Sequence, residues 1–216
     1  LQQMLTRHEE KDVSYTSFAS LHAASTAAGL MEAGILNVLS LQLHMLLHRH
    51  GSTLAEVQLI CRCMALLFEQ CRKHVGLQES IHDQGTDFIV LLSDAVSTAI
   101  QRSETTQQDV TKLNSTPPSI IPSVQLSVMS ILNVISTKSR GSSLLLQCKE
   151  IKPMTVAVLV NKETMTDSIA LETLGLLKNL TYYDEESRIA FLKQKGFLLG
   201  LMGLANRHSL SIKSKQ

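Results

Sequence analysis

The sequence predicts an all-α fold, a superhelical array of about four helical units spanning residues 1–216 as a single repeat domain. Three observations predict it. Residues 167–206 (DSIALETLGLLKNLTYYDEESRIAFLKQKGFLLGLMGLAN) read as three short helices in succession, broken by the polar Tyr183-Asp184-Glu185-Glu186 turn and by Lys195-Gly196. Residues 126–146 reproduce the apolar positions of this stretch at a spacing of 45: Leu126 falls on Leu171, Met129 on Leu174, Ile131 on Leu176, Leu132 on Leu177, Ile135 on Leu180 and Ser136 on Thr181. Leu30-x-x-x-Gly34, Ile81-x-x-x-Gly85 and Leu192-x-x-x-Gly196 each precede an apolar run. Self-similarity at such a period marks a repeat architecture, whose units bury their apolar faces only by stacking. A glycine at each corner takes the positive φ that lets one helix stop and the next leave steeply.

In chain order, residues 12–20 are expected to close a first unit, with helices at 22–33 and 35–49 meeting at Gly34. Residues 53–73 form a long apolar helix, 74–84 a short one and 86–102 a third, the last two meeting at Gly85. Helices are expected at 123–136, 143–150 and 154–160. Here Ile151 stands where the corner glycine would be, and Pro153 supplies the break, because proline suits a helix's first turn and disfavours continuation before it. The last unit comprises 167–181, 185–195 and 197–206, with almost no strand anywhere. Residues 103–122 (SETTQQDVTKLNSTPPSIIP) hold three of the four prolines and lack helical periodicity, which predicts a long mobile loop. The basic, polar tail at 207–216 (RHSLSIKSKQ) is expected to fray or to lead into a further repeat of a longer chain.

The run Leu171 to Leu180, the acidic turn after it, Arg188 to Gly196 and the leucine-rich start at Phe197 resemble the armadillo pattern A-L-x-N-L, acidic turn, R-x-x-I-x-x-x-G. The period of 45 suits the broader armadillo/HEAT class. The resemblance is specific over 167–206, moderate over 123–160 and weak over 20–100. It implies a right-handed α-α superhelix (armadillo/HEAT-like solenoid) of about four repeats, and protein binding as its activity. It also extends to divergent armadillo-like scaffolds of centrosome and cilium assembly and of meiotic or DNA-repair complexes. In peptide-binding members of the family, the asparagine of A-L-x-N-L, here Asn179, holds the main chain of an extended ligand in the concave groove. Departures are visible. Val134 stands at the matching position of the earlier copy, Asn133 lies one residue off and about 100° around the helix, and the accompanying tryptophan is absent. Asn179 therefore either contacts a partner or makes a local cap or inter-repeat hydrogen bond.

Composition narrows the function classes. Twenty Lys+Arg against 19 Asp+Glu leave a net charge of +1, which gives no basic surface for nucleic acid and no polybasic segment for a membrane. Apolar residues reach 44% and charged residues 18%, with no Trp, five Phe and three Tyr, a Leu- and Ala-rich balance suited to helix-on-helix packing. No apolar run reaches the roughly 20 residues of a membrane span, and the polar residues 1–12 give no signal peptide. Cys61, Cys63, Cys71 and Cys148 have no disulfide-framework spacing and read as reduced small hydrophobes, which points to the cytoplasm or nucleus. The sequon matches at Asn114 and Asn179 are read as chance matches in an intracellular repeat.

The candidate chemistry is sparse. His44 and His48, four apart with His50 beside them, share a helix face and could hold zinc, but Met45 follows where a metalloprotease needs Glu. Cys61, Cys63, Cys71 and His74 lack loop geometry for zinc. Asp184, Glu185 and Glu186 oppose a helix dipole at its positive end. There is no nucleophile elbow, phosphate loop or dinucleotide fingerprint. No catalytic residue, metal or cofactor is therefore expected. The residues expected to touch a protein partner, a peptide or a helix, are Asn179, Asn133, Lys178 and Tyr182. Self-association through apolar end repeats, or packing inside a longer chain, is the alternative; a helical metal-binding or enzymatic domain using the His/Cys cluster is a third. Residues 35–49 and 54–73, apolar over most of their circumference, are expected to be buried in the array or at an interface.

Overall fold

The computed structural model describes residues 25–49, 51–72, 75–108, 120–182 and 184–213. These residues are all-α, with no strand among them. In order they form α1 (Ser25–Glu32), α2 (Ile35–His48), α3 (Leu54–Gln70), α4 (Val75–Gln108), α5 (Ile120–Ser136), α6 (Ser139–Gln147), α7 (Ile151–Val160), α8 (Asp167–Thr181), α9 (Glu185–Leu192) and α10 (Phe197–Lys213). The helix expected at 12–20, His50, His74, the Asn114 sequon and residues 214–216 lie outside the described residues.

The three corner glycines take the conformation their spacing predicts. Gly34 sits at φ 78°, Gly85 at φ 62° and Gly196 at φ 90°. At Gly34, α1 and α2 meet at 71°. At Gly85 the backbone is non-helical (ψ −151°) and divides α4 into a short and a long arm. The fourth corner falls at residues 148–150, and Pro153 occupies the first turn of α7, where its missing N–H leaves no bond unmade.

The helices pack in two rows. In one, α3 lies against α5 and α5 against α8; in the other, α2 meets α4, α4 meets α7 and α7 meets α10. Contacts of α2 with α3, α4 with α5 and α7 with α8 join the rows, while α6 fills the corner between α4 and α5. A single apolar core runs through them. Phe68 of α3 stacks on Phe88 of α4 at 5.9 Å, and Phe191 meets Phe197 at 5.6 Å. Helix α5 is central and buried almost all round, as expected of a helix with apolar residues on every side.

The 45-residue equivalence holds in the core. Ile131 and Leu176 are both fully buried, as are Ile135 and Leu180 to within 1%. It diverges on the side facing the C-terminal end of the rows. Met129, one turn from Asn133 on the face of α5 that meets α8, is fully buried, whereas its counterpart Leu174 is 38% exposed. Leu171 is 67% exposed, against a half-buried Leu126. Helix α5 has α8 upon it; among the described residues no helix of this row lies beyond α8.

Several boundaries differ from the sequence reading. The loop expected at 103–122 is helical at both ends: α4 continues to Gln108 and α5 begins at Ile120, with Pro122 in its first turn. Residues 109–119 lie outside the described residues. The tail does not end its helix at 206, because α10 continues to Lys213 through a stretch free of Gly and Pro. Helix α6 starts at Ser139 rather than 143, and within it Gly141 lies so close to the end of α5 that a Cβ there would overlap the Ile135 carbonyl oxygen. Helices α2 and α3 are only partly buried, with Val38, Leu41, Met45, Leu59 and Leu66 exposed.

Candidate functional site

The C-terminal ends of α5 and α8 lie side by side, and the turns that follow them open a cleft. Gly175 lets the two helices approach closely: a Cβ there would stand 2.7 Å from the Asn133 Nδ2. Glu172, Gly175 and Asn179, spaced three and four apart, form one stripe of α8 that meets Asn133 and Ser136 of α5. Asn133 donates from Nδ2 to Glu172 Oε2 at 2.7 Å. Asn179 donates from Nδ2 to Asn133 Oδ1 at 3.1 Å and to Ser136 Oγ at 2.8 Å. Ser136 donates in turn to the Asn133 carbonyl oxygen at 2.7 Å. Both amide protons of Asn179 are thereby committed to α5, and its Oδ1 has no partner among the described residues.

Beyond this network lies a solvent-open cavity of about 750 Å³. One wall is the α5–α6 turn, with Ser136, Thr137, Lys138, Ser139, Ser142 and Ser143. The opposite wall carries Lys178, Asn179, Tyr182 and Asp184, and Leu146 and Leu180 add apolar surface. Thr137 and Ser142 spend their hydroxyls on the carbonyls of Val134 and Ser136, each at 2.7 Å. The Ser139 and Ser143 hydroxyls have no partner among the described residues. Lys138, at the N-cap of α6, provides no side-chain acceptor for that helix's first turn. By contrast Thr166 caps α8, accepting from Ile169 N at 3.2 Å, and Asp184 caps α9, accepting from Ser187 N at 3.1 Å and from the Ser187 hydroxyl. The Ser187 hydroxyl, with the backbone N–H groups beside it, holds the Asp184 carboxyl below the usual aspartate range.

Of the residues read from the sequence, Lys178, Asn179 and Tyr182 line the cavity, and Asn133 lies behind them as the hydrogen-bond partner of Asn179. Lys178 and Tyr182 are exposed, Tyr182 by 62%. Asn133, about 100° around α5 from Val134, is the residue whose side chain reaches α8, where Gly175 leaves room for it, while Val134 at the matching position is buried. Lys138, Ser136, Glu172 and Gly175 were not singled out. The spacing Glu172, Gly175, Asn179 on one helix face was the signal available for the last two.

Compared with protein-family models, with curated proteins and with solved structures, the chain matches none.

His44 and His48 rings lie 4.5 Å apart on α2, and among the described residues no three His, Cys, Asp or Glu side chains converge as a metal site. Burial pushes the Cys61 thiol up to about 12. Burial, with the hydrogen bond from its Sγ to Glu150 Oε2 at 3.1 Å, pushes Cys148 up to about 11. Cys63 is exposed on the opposite side of α3 from Cys61. No single described helix is long and apolar enough to cross a membrane; α1 and α2 reach that length and composition only as a bent pair.

Proposed function

We propose that this chain is a non-catalytic protein-binding scaffold, an armadillo/HEAT-like right-handed solenoid that holds a peptide or helical segment of a partner in the cleft at the ends of α5 and α8. The observation that carries the reading is the cleft itself. It opens at the same end of two helices related by the 45-residue repeat, and it gathers Lys178, Asn179 and Tyr182 from one unit with Lys138 from the other. The two rows of helices and the glycine corners at Gly34, Gly85 and Gly196 support the solenoid. The resemblance of residues 167–206 supports the armadillo/HEAT assignment, and with it a place in a larger intracellular assembly, cytoplasmic or nuclear, of the centrosomal, ciliary, meiotic or DNA-repair kind. Mixed hydroxyl, cationic and apolar lining suits a polypeptide, which presents backbone and side-chain groups together.

Affinity capture with wild-type protein and with a Lys178→Ala/Tyr182→Ala variant tests the reading. Both side chains are exposed and neither closes the core, so the variant should fold and lose the partner. Unchanged capture would move the binding surface elsewhere.

A second reading has its own support. Leu171, Leu174, Ile189, Leu192, Leu198, Leu199 and Met202 are exposed on the last three helices, an apolar surface of the kind that end repeats present when uncapped. In that reading the chain is a structural segment that self-associates or packs within a longer chain. Sedimentation velocity across a concentration series tests its self-association: concentration-dependent association abolished by Leu199→Glu/Met202→Lys supports it, and a concentration-independent monomer rules self-association out.

A further inference from the structure

We propose that the α5–α8 cleft takes an acidic peptide segment, one that sets carboxylates against Lys138 and Lys178 and an apolar side chain against Leu146 and Leu180. The inference rests on the reading of the cleft as a protein-binding surface and adds the chemistry of the partner.

The two lysines come from different units, 40 residues apart, and converge on one cavity. Neither makes an ion pair among the described residues. The one acidic residue among the described lining residues, Asp184, keeps its negative charge but turns it to the backbone N–H and hydroxyl of Ser187 in capping α9, and the two lysines outnumber it. Among the described residues, no carboxylate lies in contact with either lysine ammonium group. Ser139 and Ser143 add two hydroxyl donors without a partner among the described residues. A ligand rich in acceptors and negatively charged satisfies all of these at once, whereas a basic ligand would set like charges together in a partly enclosed space. Leu146, Leu180 and the exposed Tyr182 ring make the same cavity partly apolar, which favours a peptide of mixed acidic and aliphatic residues over a free inorganic anion. Two lysines in one cleft fall short of the extended basic track that a nucleic acid requires.

The test is fluorescence anisotropy with the whole chain and three labelled twelve-residue peptides, repeats of Glu-Glu-Leu, Gln-Gln-Leu and Lys-Lys-Leu. Two double variants share one change of net charge. Lys138→Glu/Lys178→Glu alters the cleft, and Lys162→Glu/Lys193→Glu alters exposed lysines outside it. The glutamate peptide should bind the wild type and weaken as salt is raised. The cleft variant should weaken it by about tenfold, because reversal both removes attraction and installs repulsion, while the control variant leaves it within about twofold. The glutamine and lysine peptides should bind at least about tenfold more weakly. Equal loss in both variants overturns the inference. So does glutamine binding as tight as glutamate binding; if Tyr182→Ala then weakens both, the cleft remains a peptide site and only its acidic preference is lost. If none of the peptides saturates, the peptide-binding reading of the cleft falls as well.

Discussion

The side-chain amide of Asn179 donates to the side-chain carbonyl of Asn133 at 3.1 Å, across 46 residues of sequence. The bond links α5 and α8, whose apolar positions coincide at a spacing of 45 in the sequence, and it leaves Asn179 facing its neighbour helix rather than reaching fully into the cleft. Removing it exposes the consequence. Asn179→Ala leaves the Asn133 carbonyl and the Ser136 hydroxyl without their shared donor in a half-buried setting. The expected cost is about 1–3 kcal/mol, read as a lower urea midpoint at unchanged slope. A midpoint identical to wild type would show the pair to be energetically idle.

Gly175 is the device that allows this contact. An alanine there gains helix propensity worth up to about 1 kcal/mol, but its methyl stands 2.7 Å from Asn133 Nδ2 and 3.0 Å from Oδ1. The Asn133 amide must then shift from its place between Glu172 and Asn179. Gly175→Ala is therefore expected to lower the melting temperature, whereas Gly203→Ala, with nothing within 4 Å of the added carbon, should raise it. The opposite order in a thermal melt contradicts the close approach of α5 and α8.

The corners differ in how much they tolerate. Gly34, at φ 78° and ψ 22°, lies in the left-handed helical region, which asparagine also visits. Gly85, at φ 62° and ψ −151°, lies in a region that is essentially glycine's alone. Gly34→Asn should cost less than about 1 kcal/mol and Gly85→Asn about 1–3 kcal/mol or more. Parallel denaturant titrations of the two variants check the ranking.

Thiol chemistry follows burial. Native protein at pH 8 should react quickly with a maleimide at Cys63 alone, because Cys61, Cys71 and Cys148 are buried. Their thiols are pushed up by that burial, to about 12 at Cys61 and about 11 at Cys148. The sign is that of a suppressed thiolate: Cys61, Cys71 and Cys148 stay slow from pH 7 to 9 until the protein unfolds. Mass spectrometry of labelled peptides reads this directly.

Much of this architecture was legible in residue spacing. The limits of α8 match the sequence reading, and the three glycine corners follow from a recurring four-residue interval before an apolar run. Leu, Ile and Val at the core positions of α5 and α8 left little choice of face. Polar helices were the harder part. Residues 103–108 carry Ser, Glu, Thr and Gln with no apolar stripe, so periodicity gave no sign that α4 continues. The N-terminal half of α6 is a Ser- and Gly-containing run without an apolar stripe, and its Gly141 lies against the Ile135 backbone, a tertiary contact. The pairing of Asn133 with Asn179 depends on an inter-helix distance that a missing Cβ at Gly175 sets, which no pattern within either helix encodes. Lys138 joins the site through the turn after α5, again a matter of tertiary placement.

Site-specific photo-crosslinking tests the central claim most directly. With benzoylphenylalanine in place of Tyr182 in one preparation and of Lys162, an exposed residue outside the cleft, in another, irradiation in cell extract should give a discrete crosslinked protein from position 182 alone. The same product from position 162, or none from position 182 while wild-type protein still captures a partner, would contradict the cleft as the binding site.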